Sequence, residues 1–153
     1  MHVERSITYP APPEKVASVL LSEELATARA QEAGADAPEH TRDGNTARTT
    51  VEMTDLPSPI NKFISKGASA TVVQTLRERG EGYSGEVGVE TSLPVTVSAD
   101  LELAPDGAHT RASLTGDLSV NVPFVGKKIE KMVSEKLDDV LARDAELVEG
   151  LLS

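Results

Sequence analysis

The chain contains no cysteine and no tryptophan, and it has only four aromatic residues: Tyr9, Phe63, Tyr83 and Phe124. Without cysteine, neither a disulfide framework nor a thiolate metal site can form. With so few rings, the core must be built from Val, Leu and Ala, a set that leaves room for unfilled volume. Positive charge is scarce as well. Fifteen Lys and Arg face 25 Asp and Glu, for a net charge of −10 at pH 7. Nucleic acid requires a basic footprint and is excluded as a partner. No stretch approaches about 18 consecutive apolar residues, so stable membrane insertion is not expected. The opening residues lack a basic segment followed by an apolar run, and the expectation is a soluble cytoplasmic protein. His2, His40 and His109 are dispersed, so no metal cluster is indicated and no cofactor is expected.

What is present is a pattern of strands closed by one long helix. At 153 residues and 39% hydrophobic content, a single domain over 1–153 is expected, and a monomer with it. Residues 2–9 alternate as a strand and are stopped by Pro10, Pro12 and Pro13. Pro13 suits the first turn of a short helix bearing Val16, Val19 and Leu20. Ser22 is placed to cap a second helix, 23–32, closed by Gly34. Residues 36–42 read as either strand or loop. Asp43-Gly44-Asn45 is turn chemistry leading into a strand at 46–53. Ser58-Pro59 opens a short helix to Gly67, which is either a lid carrying Phe63 or a structural crossover. Four strands follow as an antiparallel meander, at about 69–79, 83–91, 94–104 and 109–122, with one dry face.

From Pro123 to about Leu152 the chain reads as one helix of about 40 Å. Ile129, Val133, Leu137, Val140, Leu147, Val148 and Leu151 fall on one arc of it, and Asp144 lies near the middle of that arc. Strands, two short helices and a long C-terminal helix make an α+β architecture, a curved antiparallel sheet wrapped around the last helix.

The opening Tyr9-Pro10-Ala11-Pro12-Pro13-Glu14-Lys15-Val16 resembles the strand-to-helix entry of the START/Bet v 1-like (SRPBCC) superfamily. The stretch Val120-Asn121-Val122-Pro123-Phe124-Val125-Gly126-Lys127-Lys128-Ile129-Glu130-Lys131 is similar to that of an uncharacterised bacterial family of unknown function within it. The resemblance covers essentially the whole chain. It implies a helix-grip fold with a hydrophobic cavity between sheet and C-terminal helix. It also implies a small hydrophobic or amphipathic ligand, lipid- or polyketide-like.

On that reading the cavity is lined by Val87, Val89, Val97, Ala99, Leu101, Ala112, Leu114 and Leu118 of the sheet. Ile129, Val133, Leu137 and Val140 of the helix complete it, with Phe63 at the mouth; otherwise these side chains form a filled core. Polar candidates are Tyr83, whose hydroxyl could orient a ligand, and Arg48 and Gln74, whose strand phase is ambiguous. Asp144 either faces the cavity or lies beyond the sheet in solvent. Lys127, Lys128 and Lys131 at the helix start are an anion site or a solvated face. A polyketide cyclase/aromatase-like enzyme working through acid–base groups in the cavity is the second reading, and a protein-interaction module the third.

Overall fold

Strand β1 (His2–Tyr9) alternates exposed and half-buried residues, as a strand with one wet face must. Pro13 opens helix α1 (Pro13–Leu20), whose Val16, Ala17 and Leu20 are buried. The Ser22 side chain then caps α2 (Glu23–Glu32) by accepting from the Leu25 N–H at 3.2 Å. Gly34, with φ of 70°, ends that helix. Residues 36–42, open between strand and loop in the sequence, contain β2 (Glu39–Asp43). It pairs antiparallel with β3 (Thr46–Met53) across the Gly44 turn.

The meander follows as β4 (Ala68–Arg79), β5 (Gly82–Thr91), β6 (Val95–Asp106) and β7 (His109–Val120), and α3 (Gly126–Leu152) closes the chain. The computed structural model describes residues 1–53 and 68–152. The helix expected at 58–67, its lid role and Phe63 lie outside the described residues.

The seven strands described form one curved antiparallel sheet in the order β1-β7-β6-β5-β4-β3-β2. Gly85 permits the close approach of β5 to β4. A Cβ at that position would run into the Thr75 carbonyl, so no other residue fits without a shift.

The packed core sits at one end of the sheet. There α1, α2 and the last turns of α3 bury Val16, Leu25, Leu76, Leu103 and Val148 almost completely, beside Tyr9, Leu101 and Leu152. Thr110 is fully buried and donates its hydroxyl to the Ala11 carbonyl at 2.7 Å, fixing the turn from β1 into α1. Toward the other end α3 rests on β7 and β1. The Val120 N–H donates to Glu130 at 3.1 Å, and Arg5 donates to Asp138 at 2.8 Å.

The inward stripe of α3 runs through Ile129, Val133, Leu137, Leu141, Ala145, Leu147, Val148 and Leu152. Two residues of the expected arc fall outside it: Val140 is 58% exposed and Leu151 37%. The helix changes support along its length, from the β7 edge to α1 and α2, and its inward direction turns with the support.

Candidate functional site

The concave face is set by strand register. Gln74 of β4 lies opposite Val87 of β5, Val87 opposite Ala99 of β6, and Ala99 opposite Gly116 of β7. A second row joins Val72 to Val89, and a third joins Val97 to Leu118. Because side chains alternate across a strand, all these residues share one face. Val72, Val87, Val89, Val97, Ala99 and Leu118 are each half-buried, as are Val133 and Leu137 on α3. They form an apolar face that neighbouring elements cover only in part.

Other expected lining residues do different work. Leu101 and Ala112 are members of the packed core, Leu114 packs against it, and Ile129 is buried at the start of α3. Val140 faces a surface groove between α2 and α3, with Leu147 and Arg143. Tyr83 sits four residues from Val87, toward the closed end, beside Glu14 and Glu78 in a surface groove of about 450 Å³. Its phenol is raised above the usual value by burial, then by Glu78 and Glu14.

Arg48 corrects the sequence reading. It is on the opposite, convex face, where it donates to Glu90 at 2.9 Å with half its side chain exposed. Its neighbour Ala47 is the buried one, since Ala47 is the residue opposite Gln74. Lys127, Lys128 and Lys131 are exposed at the start of α3.

Gln74 does face inward. It is 7% exposed and helps line a small cavity of about 70 Å³ under α2. Leu20, Ser22, Ala26, Arg29, His40, Ala47, Thr49 and Val72 complete the wall. The Gln74 carboxamide has no hydrogen-bond partner among the described residues, and its polar atoms stay accessible from the cavity. His40 is held from both sides, with Nε2 3.2 Å from the Leu21 carbonyl and Nδ1 2.8 Å from the Thr49 hydroxyl. A carbonyl can only accept, so Nε2 carries the proton. In the neutral ring Nδ1 therefore accepts from Thr49.

Asp144 is neither bare nor free in solvent. Both its oxygens accept from Arg29 of α2, from Nε at 2.6 Å and from Nη2 at 2.8 Å. The fork geometry of guanidinium and carboxylate makes this a two-bond clamp between α2 and α3. Tyr9 is buried against the pair. Burial pushes its phenol up to about 12; the Asp144 carboxylate adds to the shift, while Arg29 opposes it.

Sequence reasoning missed Arg29, His40, Thr49 and Val72 as site residues. Arg29 leaves a signal: with Leu25, Ala26 and Ala30 it shares the buried face of α2, where a lone cation needs a partner.

Among the described residues, no group of three or more His, Asp or Glu is placed to hold a metal ion. No helix among them is long and apolar enough to cross a membrane. No curated protein matches the chain in sequence.

Solved structures match over nearly its whole length. The protein TTHA0849 from Thermus thermophilus superposes with a TM-score of 0.72 at 17% identity, covering 99% of this chain and 97% of that one. A STAR-related lipid transfer protein fragment from Xanthomonas axonopodis gives 0.65 at 14%, covering 99% and 85%. Norcoclaurine synthase from Thalictrum flavum gives 0.59 at 16%, covering 99% and 86%. At these identities the likeness establishes the fold, which is that of the START/Bet v 1-like superfamily, with its helix-grip sheet. Within that fold, residues 4–152 match a family described as a protein of unknown function (DUF2505), and the chain belongs to it.

Proposed function

We propose that the protein binds a small hydrophobic or amphipathic ligand in the groove between the concave sheet and α3, as a cytoplasmic carrier or sensor. The observation that carries this reading is the half-buried apolar stripe of Val72, Val87, Val89, Val97, Ala99 and Leu118 on one face of the sheet, together with half-buried Val133 and Leu137 on α3. Covering such a stripe with ligand carbon yields about 25 cal/mol per Å² removed from water. Structural neighbours named as a START superfamily protein and a STAR-related lipid transfer protein support a ligand-binding use of the fold.

The acid–base alternative, a cyclase/aromatase-like enzyme, asks for a group tuned toward neutrality inside the cavity. Tyr9 is tuned away from it, to about 12, and Asp144 is engaged by Arg29. The carrier reading is favoured on those grounds.

Native mass spectrometry of the purified protein, with organic extraction, tests the proposal. The expected result is a stoichiometric apolar adduct, or its uptake from added lipid, that is lost in Ala99→Phe, where the ring fills the groove. The bare polypeptide mass both before and after addition of lipid to the unaltered protein would refute it.

A further inference from the structure

We infer that the cavity under α2 receives the polar end of the ligand, and that this end is an uncharged oxygen group, a hydroxyl or a carbonyl. The inference rests on the groove reading above and names the chemistry it selects.

Three observations converge on it. Gln74 is almost wholly buried, yet its amide pairs with nothing among the described residues and opens onto a space of about 70 Å³. The amide atoms open only onto this space, so water there satisfies them, and a polar guest can replace that water bond for bond. The space holds roughly two water molecules' worth of volume, too little for a whole ligand and enough for a head of a few atoms.

The groups around it are a matched set of donors and acceptors. Gln74 offers its NH₂ and its carbonyl oxygen. Arg29 has Nη1 left over, because Asp144 occupies Nε and Nη2. Thr49, having given its proton to His40 Nδ1, presents lone pairs. A hydroxyl can donate to one and accept from another, and a carbonyl can accept from Gln74 and Arg29 together.

Charge decides between neutral and ionic heads. Among the described residues, the formal charges at the cavity's edge are Arg29 and its partner Asp144, which cancel. A carboxylate would lose its hydration and gain no net positive field, with the Asp144 carboxylate close by. An ammonium group would meet Arg29. An uncharged oxygen incurs neither cost.

The tail then has a row of apolar residues to follow. Val72 lines the cavity and also lies opposite Val89, and Gln74 lies opposite Val87, which opens the row through Ala99 to Gly116. That row crosses three strand spacings of about 4.8 Å, or about 14 Å, the span of a medium-length chain.

The test is displacement of the neutral apolar dye N-phenylnaphthylamine from the intact protein by decanol, decanoate and decylamine, repeated in Gln74→Met. Decanol should displace the dye at a concentration at least tenfold below that of either ion. Weaker hydration already favours the alcohol, so the deciding quantity is its dependence on Gln74. In Gln74→Met, decanol should lose about tenfold in affinity relative to the dye, the worth of one good hydrogen bond. Methionine is close to glutamine in length and flexibility, and Gln74→Leu repeats the test with a stiffer side chain. Dye binding with no loss for decanol in either variant would overturn the inference and leave the groove reading intact. Stronger displacement by decanoate would overturn it in favour of an anion site at Arg29. Failure of dye and all three probes to bind would overturn both readings together.

Discussion

Removing the Asp144 charge while keeping the side-chain shape, as in Asp144→Asn, tests how α3 is held. Among the described residues two ion pairs join α2 to α3, and they differ in setting. Arg29 and Asp144 are 37% and 26% exposed and share two bonds, at 2.6 and 2.8 Å. Arg143 and Glu32 are 71% and 44% exposed and share one, at 2.7 Å. Exposed pairs contribute about 0.2–1 kcal/mol, whereas breaking a fully buried pair costs about 3–5 kcal/mol because a charge is stranded. Arg29 retains a third of its exposure, so solvent screens part of the loss, and about 2 kcal/mol is expected for Asp144→Asn. Glu32→Gln should cost less than about 0.5 kcal/mol.

Urea denaturation followed by circular dichroism measures both. For a chain of this size, about 2 kcal/mol corresponds to a fall of roughly 4–8 °C in Tm. The cycle with Arg29→Gln isolates the pair, and the double variant should recover part of the loss, because no unpaired charge remains. Equal, small costs for Asp144→Asn and Glu32→Gln would refute the reasoning. The clamp would then be no more than a surface pair, and the neutrality argued for the cavity under α2 would lose its structural basis.

Tyr9 gives a pH signature. Its pKa is raised from about 10 in the unfolded chain to about 12 in the folded one. Between those values the unfolded state has lost the proton and the native state has kept it, so stability present below pH 10 falls as pH rises through 12. The loss approaches roughly 2–3 kcal/mol, and Tyr9→Phe should flatten the stability profile between pH 9 and 12. An unchanged profile would place the phenol in water. Gly85→Ala, whose Cβ meets the Thr75 carbonyl, should cost about 3 kcal/mol or more, while Gly88→Ala, with open space, should stay within about 0.5 kcal/mol. Urea midpoints decide, and similar values for the two would remove the role given to Gly85. Phe124 has φ of 70° and is fully exposed, so Phe124→Asn should gain about 0.5–1 kcal/mol by relieving a left-handed backbone, and a loss instead would mean the ring packs on something.

The elements were legible because their punctuation is chemical. Pro10 to Pro13 end β1, Ser22 caps α2, and the glycines of the hairpins mark the turns. The strand bounds read from sequence fall within about two residues of those observed. The site was less legible, for two reasons. In β4, Val72 and Val73 are adjacent and both apolar, so alternation does not reveal whether Gln74 faces in. In β3, Thr46, Thr49 and Thr50 lie on both faces, and Arg48 has no phase marker. Pairing resolves both, since Gln74 lies opposite Ala47. The Arg29–Asp144 contact spans 115 residues of chain. Each partner could be seen as a charge on an apolar helix face, but only the packing of α2 on α3 brings the two together. Val140 failed for a different reason. A helical wheel assumes one inward direction, and α3 rests on two supports in succession.

The division between packed core and half-buried apolar face follows from side-chain size along the strands. On β6 the inward residues run Leu103 and Leu101 at the closed end, then Ala99 and Val97; on β4 they run Leu76, Gln74 and Val72. On β5, Tyr83 gives way to Gly85, Val87 and Val89, and on β7 Leu114 is followed by Gly116 and then by Leu118 at the far end. Leucines and Tyr9 fill the space beneath α1 and the end of α3 to the density of a core. Valine, alanine and glycine reach less far from the same sheet, and α3 is too rigid to sink toward them. Ordinary core selection would enlarge these side chains until the gap closed, because unfilled volume lowers stability. A row of small apolar residues ending at an amide without a partner among the described residues is instead the composition that a guest with a carbon tail and one polar end would complete.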